Sequence, residues 1–364
     1  MKNKWRLVNL CASALMFAVG CLIAAAPGNS QSKFNQPGNI LITDQFNNRV
    51  VEISPAGDIV WQFGNGPGDT AANAIVGTND AERVGSLTLM SGTGIPPGGT
   101  TNCKKSGCVD NRVLLVDQGG NIEWQYGQFG VTGFGFNQLN TPVQNTYLSQ
   151  PDGDDHVLIT DQGNERIIEV RRSDKAIVWQ YGENGVVGMG PNQLSNPNAA
   201  ELLANGHILI SDENNNRAIE VTHTSPSEIV ASFTTAGGLA FSGVAFASRL
   251  PNGDTLVTDS NNNRVVEVDR HNRVVWEYFT NARPGSNPTP LPTRAVQLAN
   301  GNILISDQFN DQVIEVTHTT PAVIVASYGT INTPGYSPTT ALQSLNAPYS
   351  AYVIGDYTGI TPPF

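Results

Sequence analysis

The stretch "GNILITDQFNNRVVEISPAGDIVWQFG" fills residues 38–64, and a close copy, "HVLITDQGNERIIEVRRSDKAIVWQYG", fills 156–182. Each copy parses into short β-branched runs such as "ILITD", "RVVEI" and "IVWQF", the composition of strands. The link "DQFNN" is turn chemistry, because Asn and Asp bond nearby backbone and tolerate the left-handed conformation. Aligned on the Asp step, six copies appear at Asp44, Ser91, Asp161, Asp212, Asp259 and Asp307. The second is degenerate: "GSLTLMS" (85–91) stands for "GNILITD", a Gly/Pro-rich insert follows, and "NRVLLVDQGGNIEWQYG" (111–127) resumes.

A period near 50 residues points to a solenoid or a propeller. A fourth strand precedes the later copies, as "NAAELLANG" (198–206), "GVAFASRLPNG" (243–253) and "TRAVQLANG" (293–301) show. Four antiparallel strands per copy make a propeller blade. The first copy begins at Gly38 without such a strand, whereas "LNAPYSAYVIGD" (345–356) matches the inner-strand phrases. The expected fold is therefore all-β: a six-bladed β-propeller over 38–356, closed by a C-terminal strand that joins the first blade and removes the open edge. Residues 27–37 read as a linker and 357–364 as a tail.

Residues 7–26 are an uncharged apolar run behind Lys2, Lys4 and Arg6, the pattern of an export signal or N-terminal anchor. Cleavage, lipidation at Cys21 and retention all stay open. Without 1–26, 17 basic face 31 acidic side chains, a net charge of −14. Such a surface repels phosphate backbones, so nucleic acid is not an expected partner, and membrane contact is expected only through the N-terminus. Cys103 and Cys108 sit close together in "CKKSGC", and in an oxidising compartment a local disulfide is expected.

The segment "WQYGENGVVGMGPNQLSNPNAAELLANGHILISDENNNRAIEV" (179–221) resembles the NHL repeat, with its Gly-rich link, "NQL..P" lead-in and "G.I.I.D..NNR..EV" core. "GDTLVTDSNNNRVVEVDRHNRVVWEY" (253–278) is similar, more loosely, to arylsulfotransferase-type and quinoprotein-like propeller repeats. The resemblance implies architecture, since function lives in sites grafted onto such scaffolds. Six-bladed peptidylamidoglycolate lyases resemble NHL propellers and hold zinc with histidines. Here His156 and His207 share one repeat position and His223 and His318 another, so the ring separates equivalent imidazoles and no metal or other cofactor is expected.

The recurring polar set is D-x-x-N-x-R: Asp44 with Arg49, Asp161 with Arg166, Asp212 with Arg217, and Asp259 with Arg264. Asp307 keeps its place while Gln312 replaces the arginine. A set repeated around a ring is structural, with Asp and Asn expected to tie hairpin amides and Arg to meet the Asp. Trp61, Trp124, Trp179 and Trp276 share a position expected to pack on the outer strands. Two sets remain as candidate sites. Glu201, Arg249, Arg294 and Gln297 break the apolar inner strands and either bond across blades or line the channel mouth. Phe129, Phe134, Phe136 and Met189 lie on Gly-rich connectors, where they tuck beneath the blades or form a contact patch with the 92–110 insert. The favoured function is a binding scaffold for a protein, small-molecule or glycan ligand on a propeller face. An enzyme of lyase, lactonase or sulfotransferase-like type, with its site at the channel mouth, is the alternative.

Overall fold

The computed structural model describes residues 33–356. The leader at 1–26 with Cys21, the first part of the 27–37 linker and the tail 357–364 lie outside the described residues. Six four-stranded antiparallel sheets form the ring. Their inner strands are Pro348–Val353, Thr78–Val84, Pro142–Leu148, Pro197–Leu202, Val244–Arg249 and Pro292–Gln297, for the first to sixth blades. Each inner strand contacts the next, and that of the sixth contacts that of the first, so the ring is closed.

Closure follows the sequence expectation. Pro348–Val353 pairs with Ile40–Asp44, bringing Ile40 opposite Val353 and Ile42 opposite Ala351. The first sheet thus contains both ends of the described chain. Its other strands are Arg49–Ile53 and Ile59–Phe63. The second and third strands of each blade are apolar on both faces because neighbouring blades cover both. Ile42, Val50, Ile168, Ile210, Val257 and Ile305, for example, are fully buried.

Antiparallel meandering sorts the connections. The start of an inner strand lies beside the end of the second strand, as Pro197 opposite Asp212 shows, and beside the start of the third, as Asp212 opposite Arg217 shows. One face therefore carries the turns from second to third strand and the connectors between blades; we call it the turn face. In five blades the turn is one 3-10 turn, for instance Gln45–Asn47, closed by a residue in the left-handed region (Asn48, Glu165, Asn216, Asn263, Asp311). The opposite face carries the inner hairpins. Both ends of the described chain lie there: Asn35 donates to Gly85 O, and Asp356 accepts from Ala299 N–H.

One alignment step is corrected. Gly92, not Ser91, pairs with Arg112 and so occupies the Asp44 position. A Cβ on Gly92 would stand 2.4 Å from the Asp110 carboxyl carbon, so the space of the missing aspartate is filled from the insert.

Candidate functional site

The repeated polar residues are engaged in holding the ring. Arg49, Arg166, Arg217 and Arg264 each donate from Nε to the aspartate of their own blade, at 2.6–2.8 Å, with the carboxylates fully buried. The asparagine three residues beyond the Asp donates to the same carboxylate, as Asn164 does to Asp161 at 2.7 Å. The expectation that these groups tie hairpin amides is corrected: the Asp accepts from the connector leading into its own blade. Asn140 N–H reaches Asp161, Ser195 N–H Asp212, Ser242 N–H Asp259 and Asn346 N–H Asp44. Asn164 and Asn215 also donate to connector carbonyls, Gly133 O and Gly188 O. The strut therefore clamps each connector over the adjoining turn.

Two blades complete the strut from elsewhere in the chain. In the second, Asp110 accepts from Arg112 Nε at 2.5 Å and from Val76 N–H at 2.8 Å. In the sixth, where Gln312 replaces arginine, connector residue Arg283 donates to Asp307 at 2.5 Å and to Gln312 Oε1 at 2.8 Å. Burial pushes Asp161 and Asp307 up to about 6, opposed chiefly by Arg166 and Arg283.

In four blades the glutamate three residues past the arginine position latches a neighbouring blade, whereas Glu315 of the sixth accepts from Asn300 and Asn302 of its own. Glu52 accepts from Arg83 of the second blade, and Glu220 of the fourth from Arg249 of the fifth. Glu169 lies 2.5 Å from His156 Nδ1 of its own blade and 2.6 Å from His223 Nε2 of the fourth. Glu267 lies 2.6 Å from His318 Nε2 of the sixth. Burial pulls the Glu169 carboxyl up, but hydrogen bonds and charge from His223 and His156 outweigh it, leaving the carboxyl below its ordinary range. Among the described residues no three His, Cys, Asp or Glu side chains are placed to hold a metal ion. Indole N–H groups stitch the same seams: Trp61 donates to Gln118 O, Trp124 to Arg172 O, Trp179 to Thr224 O and Trp276 to Thr319 O, each in the next blade.

The inner-strand candidates divide. Arg249 bonds across to Glu220 of the fourth blade and, within its own blade, to Thr255, so it is a seam residue, and Gln297 takes the equivalent register position in the sixth blade. Arg294 lines the axis, where its guanidinium meets Asp80 of the second blade at 2.5 Å and lies over the Phe246 ring, 4.6 Å from its centroid. Glu201 is buried at the register position of Glu82, two residues beyond the layer of Asp80, and alternation turns both inward. Asn79, Asp80, Gln144, Asn198, Thr293 and Tyr349, from five inner strands, line a cavity of about 10 Å³. That is room for about one water molecule.

Burial, reinforced by Asp80, pushes Glu82 up to about 8, against the Tyr147 N–H that donates to it. Above the axis, Tyr349 OH bonds Asn198, and Asn196 and Asn198 donate to Glu213. The pattern reading missed Asn79, Asp80 and Glu82. "NDAER" (79–83) lies in the most diverged copy, and its register against "NAAEL" (198–202) was the available signal.

The connector candidates also divide. Phe129 lies beneath Arg112, 4.8 Å from the guanidinium carbon, and packs on the core of the insert. Phe134, Phe136 and Met189 do not tuck in; they are 60%, 72% and 58% exposed on the turn face. Their loops are held from within. Gln138 Oε1 accepts from Gly135 N–H and Gln193 Oε1 from Gly190 N–H, while Asn137 and Asn192 accept from Gly127 and Gly182 N–H. The insert is folded on a core of Val76, Ile95 and Cys103, with reciprocal backbone bonds between Ile95 and Cys108 and the Cys103–Cys108 disulfide.

No protein-family profile and no curated protein matches the chain. Among solved structures it is similar to a protein of unknown function from Bacteroides caccae (16% identity, TM-score 0.47, covering 75% of this chain and 84% of that one). It is also similar to a streptogramin B lyase (15%, 0.45, 81% and 74%) and to a putative 6-phosphogluconolactonase from Bacteroides uniformis ATCC 8492 (12%, 0.46, 87% and 99%). At these identities and scores, no activity passes to this chain.

Proposed function

We propose that this chain is an exported, NHL-like propeller that works as a binding scaffold, presenting its turn face to a protein, small-molecule or glycan ligand. The observation that carries the reading is the Arg294–Asp80 pair, which joins the inner strands of the sixth and second blades beside a cavity of only about 10 Å³. A small-molecule site ordinarily offers some 300–1,000 Å³. The repeated carboxylates and guanidinium groups are committed to struts and latches, while the irregular parts, the insert and the exposed Phe134, Phe136 and Met189, share the turn face. The disulfide supports an oxidising, extracytoplasmic location.

One observation favours the second reading, a propeller enzyme at the channel mouth: the raised carboxyl of Glu82 beside Asp80 and Arg294, the kind of perturbed cluster that active sites contain. Glycan and peptide arrays probed with the folded chain, beside a turnover screen, separate the two. Binding lost in Phe136→Ser/Met189→Ser and kept in Arg294→Met supports the scaffold. Turnover abolished by Arg294→Met or Glu201→Gln overturns it.

A further inference from the structure

Resting on the turn-face reading, we propose that the groove beside the disulfide loop binds a carboxylate carried on a six-membered ring, the chemistry shared by a uronate unit of a glycan and an aromatic acid. The groove, about 380 Å³, lies between the insert and the first blade, within the range of small-molecule sites. Its apolar surface is Phe46, half-buried against the core of the insert, with the Phe309 ring 6.5 Å away. Thr100, Thr101 and Asn346 supply hydroxyl and amide groups, and Lys104 supplies the charge.

Three features select a ring-borne carboxylate. First, the lining contains one cation and no carboxylate, in a chain of net charge −11. At physiological salt, charges more than about 8 Å away are largely screened, so the local sign governs. Lys104 and Lys105 are two of the four lysines between 33 and 356, and among the described residues no ion pair engages either. Second, Phe46, a partly buried ring, lines the same groove as that cation and gives a ligand ring an apolar surface to lie against. Third, the wall is preformed: Gly98 N–H donates to Cys103 O, Cys103 N–H to Thr100 O, and the disulfide closes the loop, so little ordering is left to binding. A ligand ring against Phe46 would have Asn346, Thr101 and the Lys104 ammonium among the groups lining the groove around it.

Isothermal titration of the full, disulfide-bonded chain with digalacturonate, 4-hydroxyphenylacetate and neutral cellobiose tests this. Binding of either acid over cellobiose is expected, and which acid binds identifies the source. Lys104→Gln, a surface change, should weaken it about tenfold, as should Phe46→Ala, whereas Lys175→Gln on a distant hairpin leaves it unchanged. If Phe46→Ala melts early, Lys104→Gln decides. No heat from either acid, equal binding of cellobiose, or indifference to Lys104→Gln overturns the proposal. Should array ligands still depend on Phe136 in that case, the groove fails and the turn-face reading stands.

Discussion

Replacing Arg283 by methionine should unfold the sixth blade's strut, and adding the repeat's own arginine at 312 should restore it. Arg283 is 16% exposed and its guanidinium lies 2.5 Å from Asp307, a carboxylate with no solvent exposure. Removing one partner of a buried pair costs about 3–5 kcal/mol, because the remaining charge is stranded. Asn310 keeps its bond to Asp307, and the partial exposure of Arg283 admits some water, so the lower end, about 3 kcal/mol, is expected. Asp307 stands at about 6 even with Arg283 present, and losing the group that lowers it most raises it further. A folded-state pKa above the unfolded value means the folded chain holds its proton more tightly. The contribution is then present at low pH and lost as pH rises through the folded pKa. The deficit of Arg283→Met should therefore be larger at pH 8 than at pH 5. Urea unfolding followed by tryptophan fluorescence measures it. Arg283→Met/Gln312→Arg should regain most of the loss, since position 312 is where the other blades place their arginine. An unchanged single variant, a deficit flat with pH, or a double variant no better than the single would refute the reasoning.

Glu82→Gln keeps an acceptor for Tyr147 N–H and removes a carboxyl standing at about 8, so it should be neutral at pH 5 and more stable than the parent by about 1–3 kcal/mol at pH 8, by the same urea assay. His223→Phe removes the inter-blade partner that holds Glu169 low, and should cost about 1–2 kcal/mol at neutral pH. The parent's advantage should fade on acidification through the lowered Glu169 pKa, where the carboxylate takes its proton in both proteins; a constant difference down to pH 3 counts against the latch. Trp276→Phe loses the indole bond to Thr319 O and should cost about 1 kcal/mol in the same titration.

The ring was legible because its repeats are written in strand chemistry. Asp, Asn and Arg recur at fixed offsets, and the C-terminal phrase repeats the inner-strand lead-ins, so blade number and closure could both be read. What each polar group touches could not. The Asp44 carboxylate reaches Asn346 N–H across 302 residues, and Glu52 takes its cation from the next blade. The substitutes were hidden for the same reason: Asp110 lies in the insert and Arg283 in a connector, neither at a repeat position, and only folding brings them to the vacant half of a strut. Exposure on the connectors depended on how Gln138 and Gln193 brace the loops, a detail of backbone geometry. At the axis Asp80 and Glu82 come from the second blade's inner strand and Arg294 from the sixth blade's, so no single copy shows the cluster they form together.

The assignment of faces presupposes the closed ring, and Ile40→Cys/Val353→Cys tests closure directly. These residues are opposite partners in the closing pair of strands, where Cα atoms stand about 4.5–5.5 Å apart, within disulfide reach. Mass spectrometry of non-reduced digests should find a peptide from near residue 40 linked to one from near residue 353 within a single chain. Free thiols or links only between chains would place the two ends apart and contradict the fold on which the functional reading stands.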